Sequence, residues 1–425
     1  MSEGSWSVVP LGELIETIEA GSSFRCRETP PEEGEVGVAK VSAVSWGRYD
    51  EQESKTCLDP SRINEELLIR KGDFLISRAN TVELVGACVI AEQVRKQVML
   101  SDKTLRIVFK DPSLKPWVLH FLRSRTGRQQ IEALCTGNQE SMRNISQRSL
   151  RMIELPLAPP EERLKILSFI DQQLSRADAT TSTLKAIQAK LKQARASILK
   201  AAVEGRLVGA EVVNEKDSGN AWELPSEWDL AQLGSICTVT GGITKNSSKD
   251  KDGVSMPYLR VANVYTNRLD LGEVKTITLP AVSIPKYRLE KGDLLIVEGN
   301  GSADQLGRVA IWDGSIDNCV HQNHLIKARP KAPNLSKFLL AYLNSVHGRA
   351  QIKQVASSTS GLHTLSISKV QRIQIPVPPP QEQYLIIAEV ERRFSVLDQV
   401  EATVNASLWR CGRLRQAVLK RAFGG

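Results

Sequence analysis

The chain has 425 residues, 41% of them hydrophobic, and a formal net charge of +8. At about 100 to 200 residues per domain that is enough for two to four domains with their own cores, which excludes a disulfide-stapled mini-protein and a disordered chain. No run reaches the roughly 18 apolar residues of a membrane span, and the opening MSEGSWSVVPLGEL lacks a basic stretch followed by an apolar one, so a soluble cytoplasmic protein is expected.

The first 150 residues or so have mixed character. FLIS after Lys71-Gly72-Asp73 and LRIVF at 105–109 have strand length and β-branched content, with Gly-Asp turns between them. A helical stretch follows from about Lys115 to Leu134, then the polar loop TGNQESMRNIS, then a strand running into Pro156 and Pro159-Pro160. Prolines placed directly before Glu161-Glu162 both break the chain and suit a helix start.

Beyond them the apolar period changes. Ile170, Leu174, Ala177, Thr181, Leu184, Gln188, Leu191, Arg195, Ile198 and Ala202 are spaced alternately by four and three, the seam of a long coiled-coil helix. At 1.5 Å per residue such a helix is on the order of 60 Å long and cannot bury its seam alone. A polar, Gly-containing linker then leads to Trp228.

From there the chain repeats itself. At a shift of about 220 residues VAKVSAV (38–44) meets YLRVANV (258–264), RKGDFLISRAN (70–80) meets EKGDLLIVEGN (290–300), and LRSRTGRQQI (122–131) meets LNSVHGRAQI (343–352). IELPLAPPEER (153–163) meets IQIPVPPPQEQ (373–383), and SILKAAVEG (197–205) meets AVLKRAFGG (417–425). The second seam is Val390, Phe394, Leu397, Glu401, Val404, Leu408, Cys411, Arg415, Val418 and Ala422. Thr, Gln, Glu and Arg on the seams point to partner contacts or register-setting. The expected fold class is α+β: two globular mixed α/β domains separated by two long antiparallel coiled-coil helices, in a pseudo-twofold internal repeat. The boundaries are 1–158, 159–205, 206–221 for the linker, 222–378 and 379–425.

Seven cysteines with no CxxC pair read as reduced, partly buried thiols. Between Arg95 and Arg151 there are 12 Lys or Arg against four acids, so one part of the first head suits phosphates. Lys185, Lys190, Lys192, Arg195 and Lys200 on the first helix, with Arg410, Arg413, Arg415, Lys420 and Arg421 on the second, complement the helix C-terminal dipole or meet DNA phosphates or an acidic partner. There is no Walker A string, no dinucleotide GxGxxG, no HExxH and no GxSxG. The Gly-rich cofactor loop and Asn- or Asp-Pro-Pro-aromatic string expected of a base methyltransferase are absent as well. Cys319, His321 and His324 have metal-ligand character but no evident fourth ligand, and read better as a polar base-reading or structural loop.

What remains is a set of polar loops at matched places. Arg78 and Asn80 follow one strand as Glu298 and Asn300 follow its repeat, and Asp102 and Lys103 correspond to Gln322 and Asn323. Gln139, Arg143 and Asn144 lie in the loop corresponding to Ser358, Ser360 and His363. These side-chain types can read base edges, and divergent letters at equivalent places are expected if each head reads a different sequence. The rival readings are a stand-alone DNA-modifying enzyme and a scaffold that binds protein only.

The chain resembles the specificity subunit of type I restriction-modification systems. The resemblance is carried by Trp6 with Leu11-Gly12-Glu13-Leu14, LPSEWDLAQLGSI, both KGD strands, both Pro-rich junctions and the helix ends SILKAAVEGRLV and AVLKRAFGG. The first copy lacks the LPxxW lead before Trp6. The family implies that 1–158 and 222–378 are target recognition domains, each reading one half of an asymmetric bipartite site in double-stranded DNA. It implies that 159–205 and 379–425 are spacer helices that set the unread gap and dock two methyltransferase subunits, with restriction-translocase subunits joining that complex. Leu174, Leu184, Leu191, Ile198, Phe394, Val404, Leu408 and Val418 are the candidate docking residues. S-adenosylmethionine, ATP and Mg are expected on the partners, with no catalytic residue, metal or cofactor on this chain.

Overall fold

The computed structural model describes residues 6–45, 47–139, 142–208, 224–244, 253–300, 305–359 and 362–423. The chain divides into two compact units, Met1–Leu184 with Ala406–Gly425, and Lys185–Asn405.

In the first unit the strands are β1 (Ser7–Pro10), β2 (Ile15–Ala20), β3 (Cys26–Arg27), β4 (Gly37–Ala39), β5 (Ser54–Cys57), β6 (Phe74–Ser77) and β7 (Ala79–Asn80). They continue as β8 (Cys88–Ile90), β9 (Val98–Met99), β10 (Thr104–Phe109), β11 (Thr136–Gln139), β12 (Met142–Asn144) and β13 (Glu154–Leu157). An antiparallel sheet runs β2-β10-β6-β8, a mixed sheet β3-β5-β4-β9, and a small sheet β11-β12-β7, while β1 pairs with β13. The second unit contains β14 (Asp229–Gln232), β15 (Cys237–Gly241), β16 (Val254–Leu259), β17 (Val264–Tyr265), β18 (Arg268–Leu269), β19 (Lys275–Leu279) and β20 (Leu294–Val297). After them come β21 (Gly299–Asn300), β22 (Val309–Ile311), β23 (Val320–His321), β24 (Leu325–Pro330), β25 (Ser357–Thr359), β26 (Leu362–Thr364) and β27 (Gln374–Val377). Its sheets repeat the first unit: β15-β24-β20-β22, β19-β16-β23, β21-β26-β25 and β14-β27. The expected internal repeat is thus present in these sheets, except that β3 adds a strand to the mixed sheet of the first unit with no counterpart among the described residues, and β17 pairs with β18 in the second unit alone.

The central strands explain why the KGD segments read as apolar runs. Side chains alternate across a strand, so Phe74 and Ile76 enter one core of the first unit while Leu75 enters another. Leu294 and Ile296 likewise separate from Leu295 and Val297. The turn before each strand needs its glycine, because Gly72 and Gly292 sit at φ of +88° and +96°. The aspartate closes that turn. Asp73 accepts from the Arg70 N–H and Asp293 from the Glu290 N–H, both at 2.8 Å.

A buried cation repeats too. Arg106 donates to the carbonyls of Leu68 and Glu66 at 2.9 and 2.6 Å, and Lys327 donates to those of Arg288 and Lys286 at 3.0 and 3.2 Å. Arg106 also pairs with Asp73 at 3.0 Å and with Glu19. Burial opposes the Arg106 charge, but those carboxylate hydrogen bonds outweigh it and raise its pKa.

The helical stretch expected over 115–134 is two helices, Lys115–Arg123 and Arg125–Leu134, broken where Ser124 caps the second by accepting from the Gly127 N–H. The polar loop after it is a hairpin, β11 with β12. Alternating polarity carried no apolar face there, so the sequence reads as loop while the backbone pairs with β7.

The long helices are Pro160–Val203 and Pro380–Phe423, each opening on proline as expected. Within the first unit, Asp178 on the first helix pairs with Arg415 on the second, and the Arg421 guanidinium lies 5.6 Å over the Phe169 ring, so these segments run antiparallel. Within the second unit, Arg195 pairs with Asp398 and, at 2.7 Å, with Glu401, and Gln188 donates to Asn405 at 2.8 Å. The polar seam residues Arg195, Glu401, Gln188 and Arg415 therefore set register inside each unit. The helix ends enter head cores. Val418, Leu419, Ala422 and Phe423 join the core around Trp117 and Phe121, while Ala202 joins Trp228 and Phe338, and Val203 joins Leu233 and Tyr342. The linker expected at 206–221 lies almost wholly outside the described residues.

Candidate nucleic-acid interface

In the first unit three segments meet where β6 passes into β7. The Arg78 N–H donates to the Lys103 carbonyl at 2.8 Å, and the Arg78 carbonyl accepts from the Ile145 N–H at 2.9 Å. Strand pairing sets Arg143 opposite Asn80 and Asn144 opposite Ala79. Four of the expected readers, Arg78, Lys103, Arg143 and Asn144, thus share one edge, with Arg78, Lys103 and Asn144 exposed. Asn80 is committed elsewhere: its Oδ1 accepts from the Thr81 N–H at 2.9 Å and its Nδ2 donates to Ser45 Oγ at 3.0 Å. Arg143 is partly committed, donating from Nη1 to the Gly137 carbonyl at 2.6 Å. Gln139 has its backbone in β11, and its side chain lies outside the described residues.

The second unit repeats this meeting point. The Glu298 N–H donates to the His324 carbonyl at 2.9 Å, and the Glu298 carbonyl accepts from the Leu365 N–H at 2.7 Å. This bonding corrects the sequence correspondence by one residue: Lys103 answers to His324, and Asp102 to Asn323. The polar turn offered no apolar anchor to fix the alignment. His324 therefore stands at the place that the sequence comparison gave to Asn323, although the sequence singled it out only with Cys319 and His321, as part of a polar base-reading or structural loop. Its Nδ1 lies 3.5 Å from Glu298 Oε2, with Glu298 33% and His324 57% exposed. Gln322 and Asn323 are half-buried in the turn before β24, where the Leu325 N–H donates to the Gln322 carbonyl at 2.9 Å. The side chains of Asn300 and His363, and all of Ser360, lie outside the described residues.

The basic stretch of the first head is thinner on the surface than its sequence count implied. Lys96, Arg106, Lys115, Arg123, Arg128 and Arg143 each donate to a backbone carbonyl within the head. Long cations can satisfy buried carbonyls at loop ends, and composition does not distinguish that use from phosphate binding. Lys103, Lys110, Arg125 and Arg148 are exposed.

His321 is fully buried, with Nδ1 3.0 Å from the Tyr287 carbonyl. Burial first, then the nearby Lys327 charge, push its pKa down to about 4, so it is neutral at pH 7. Burial also pushes the Cys237 and Cys319 thiols up to about 12. Among the described residues no group of three or more His, Cys, Asp or Glu is placed to hold a metal ion. No helix among them is long and apolar enough to cross a membrane.

The eight expected docking residues occupy the inside of the helix pairs. Leu191, Val404 and Val418 are buried, and Leu174, Leu184, Ile198, Phe394 and Leu408 are half-buried in the same seams. A seam that pairs intramolecularly is already partly covered, so the exposed apolar side chains on the outer helix faces are further candidates for docking. Exposed there are Leu164, Trp409 and Leu414 in the first unit, and Tyr384, Leu385, Val396 and Val400 in the second.

A family profile described as type I restriction modification DNA specificity domain matches residues 225–408. The chain is 29% identical to the type I restriction enzyme StySPI specificity subunit of Salmonella potsdam, over 73% of this chain. It is 27% identical, again over 73% of the chain, to the EcoKI specificity subunit of Escherichia coli K12. In both cases the chain spans 65% of the relative's length. A solved structure described as the basis of complex assembly and conformational transition of the type I R-M system shares the fold. It has a TM-score of 0.64 and 19% identity, and covers 99% of this chain and 98% of that one.

Proposed function

We propose that this chain, which is similar to type I restriction-modification DNA specificity proteins, is one of them and selects the DNA sequence on which a multi-subunit complex acts. Each head reads one half of an asymmetric bipartite duplex site. The long helices set the length of the unread gap, and their outer apolar residues dock methyltransferase subunits, which restriction-translocase subunits join. The chain supplies no catalysis of its own. S-adenosylmethionine, ATP and Mg belong to the partners, and the assembly works in the cytoplasm.

One observation carries this reading. The two units hold the same three-segment meeting point through equivalent backbone hydrogen bonds, yet present Arg78 with Lys103 on one and Glu298 with His324 on the other. A protein-binding scaffold gives no reason to keep the frame and invert the charge, whereas reading two different half-sites does. Sequencing of modified bases in cells with and without this chain tests it. Loss of modification at one bipartite motif is expected on deletion. An unchanged pattern of modified bases would contradict the reading.

A further inference from the structure

The frame at Arg78 and Glu298 is equivalent, so the two side chains leave their sheets at corresponding points, and only their chemistry differs. Arg78 is an exposed guanidinium with Lys103 beside it in the frame. A guanidinium offers donors in a fixed fork and never accepts. Glu298 is a carboxylate, one-third exposed, in the frame that His324 shares. A carboxylate accepts and does not donate.

The major groove gives these two opposite partners. Guanine presents two acceptors, O6 and N7, spaced for a forked donor, whereas cytosine presents the N4 amine and no acceptor. A carboxylate set against guanine faces oxygen and nitrogen lone pairs with its water removed, so it rejects that base as well as selecting the other. We propose that Glu298 is a specificity-determining residue of the second head that accepts a hydrogen bond from cytosine N4, and that Arg78 at the corresponding place in the first head reads guanine. The proposal rests on the reading of the heads as duplex readers and adds the base class each position selects.

The test uses the full-length chain assembled with its methyltransferase partner. It is offered duplexes randomised through both half-sites, and the bound fraction is sequenced. Glu298→Arg is expected to invert one C·G pair of the second half-site to G·C, leaving every other position and the gap unchanged. Glu298→Gln, whose amide can turn a donor toward guanine, is expected to lose about tenfold discrimination at that one position. Arg78→Glu is expected to invert a G·C pair in the first half-site. Wild-type preference at every position in Glu298→Arg, or a change confined to the other half-site, would overturn the proposal. If Glu298→Arg binds no duplex, Glu298→Gln decides: an unaltered preference overturns the proposal and relaxation at a single cytosine supports it. A wild-type complex that enriches no sequence would instead remove the underlying reading of the chain as a specificity protein.

Discussion

Trp228 donates its indole N–H to Glu382 Oε2 at 2.8 Å. The residues lie at the start of the second head and in the first turn of the second long helix, so this bond fixes the angle at which the helix leaves its head. Trp6 makes the equivalent bond to Glu162 at a longer 3.2 Å. Trp228 also packs edge-on against Phe338, with ring centroids 5.8 Å apart. Removing a hydrogen bond to a charged acceptor costs about 1.5 to 3 kcal/mol. Trp228→Phe is expected to destabilise the chain within that range in urea unfolding, and Trp6→Phe by less. An equal effect of the two would mean the bond length does not matter here.

Phe423 seats its ring 4.8 Å from that of Trp117 and 5.6 Å from that of Phe121, edge-on to both. The last turn of the chain is thus core material for the first head. Phe423→Ala is expected to cost about 3 to 5 kcal/mol, the usual range for emptying a buried aromatic site. Hydrogen exchange should locate the loss around Lys115–Arg123, with the second unit's strands still protected.

Arg195 bridges Asp398 and Glu401 on the seam of the second unit. The Arg195 side chain is 27% exposed and its partners 67% and 40%, so solvent screens the pairs and only about 1 kcal/mol is expected from each. A double-mutant cycle of Arg195→Met with Glu401→Gln should return a coupling of that size. A coupling near zero would leave register to the apolar seam residues alone.

His321 links stability to pH. Its folded pKa of about 4 lies below the ordinary 6.5, so between those values the unfolded chain binds the proton more readily. Stability from keeping this ring neutral is fully present above about pH 6.5 and is lost as pH falls toward 4. By pH 5 the loss is on the order of 2 kcal/mol at 1.36 kcal/mol per unit. His321→Gln should flatten the difference in unfolding free energy between pH 7.5 and pH 5. An unchanged difference would show that other groups carry it.

Trp409 stands 63% exposed on the second long helix, with Arg413 4.8 Å over its ring. If partners dock on the outer helix faces, Trp409→Ala should weaken methyltransferase association about tenfold or more, as buried aromatic anchors do. It should leave the melting temperature unchanged, because the side chain touches no core. Loss of association with Leu191→Ala alone, at unchanged stability, would return docking to the seam.

The repeat, the two heads, the long helices and their proline starts were legible because each leaves a periodic or composite signal in the chain. The KGD turn was legible for the same reason, since glycine and aspartate there answer a fixed backbone need. The hairpin at 136–144 was not, because its alternation carries no buried face. Nor was the one-residue shift that places His324 opposite Lys103, which only the bonds from Arg78 and Glu298 reveal. The basic stretch from 95 to 151 overstated the phosphate-facing charge because six of its cations serve backbone carbonyls inside the head. The seam residues were legible as a seam, but a seam pattern does not say whether its partner is the other helix or another chain.

The most direct measurement replaces one head with that of a specificity subunit to which the chain is similar, exchanging the residues between Trp6 and Leu157, and sequences modified bases in cells carrying the hybrid. One half of the bipartite motif is expected to change while the other half and the gap stay as they were. A motif altered in both halves, or in neither, would contradict two heads that read independently.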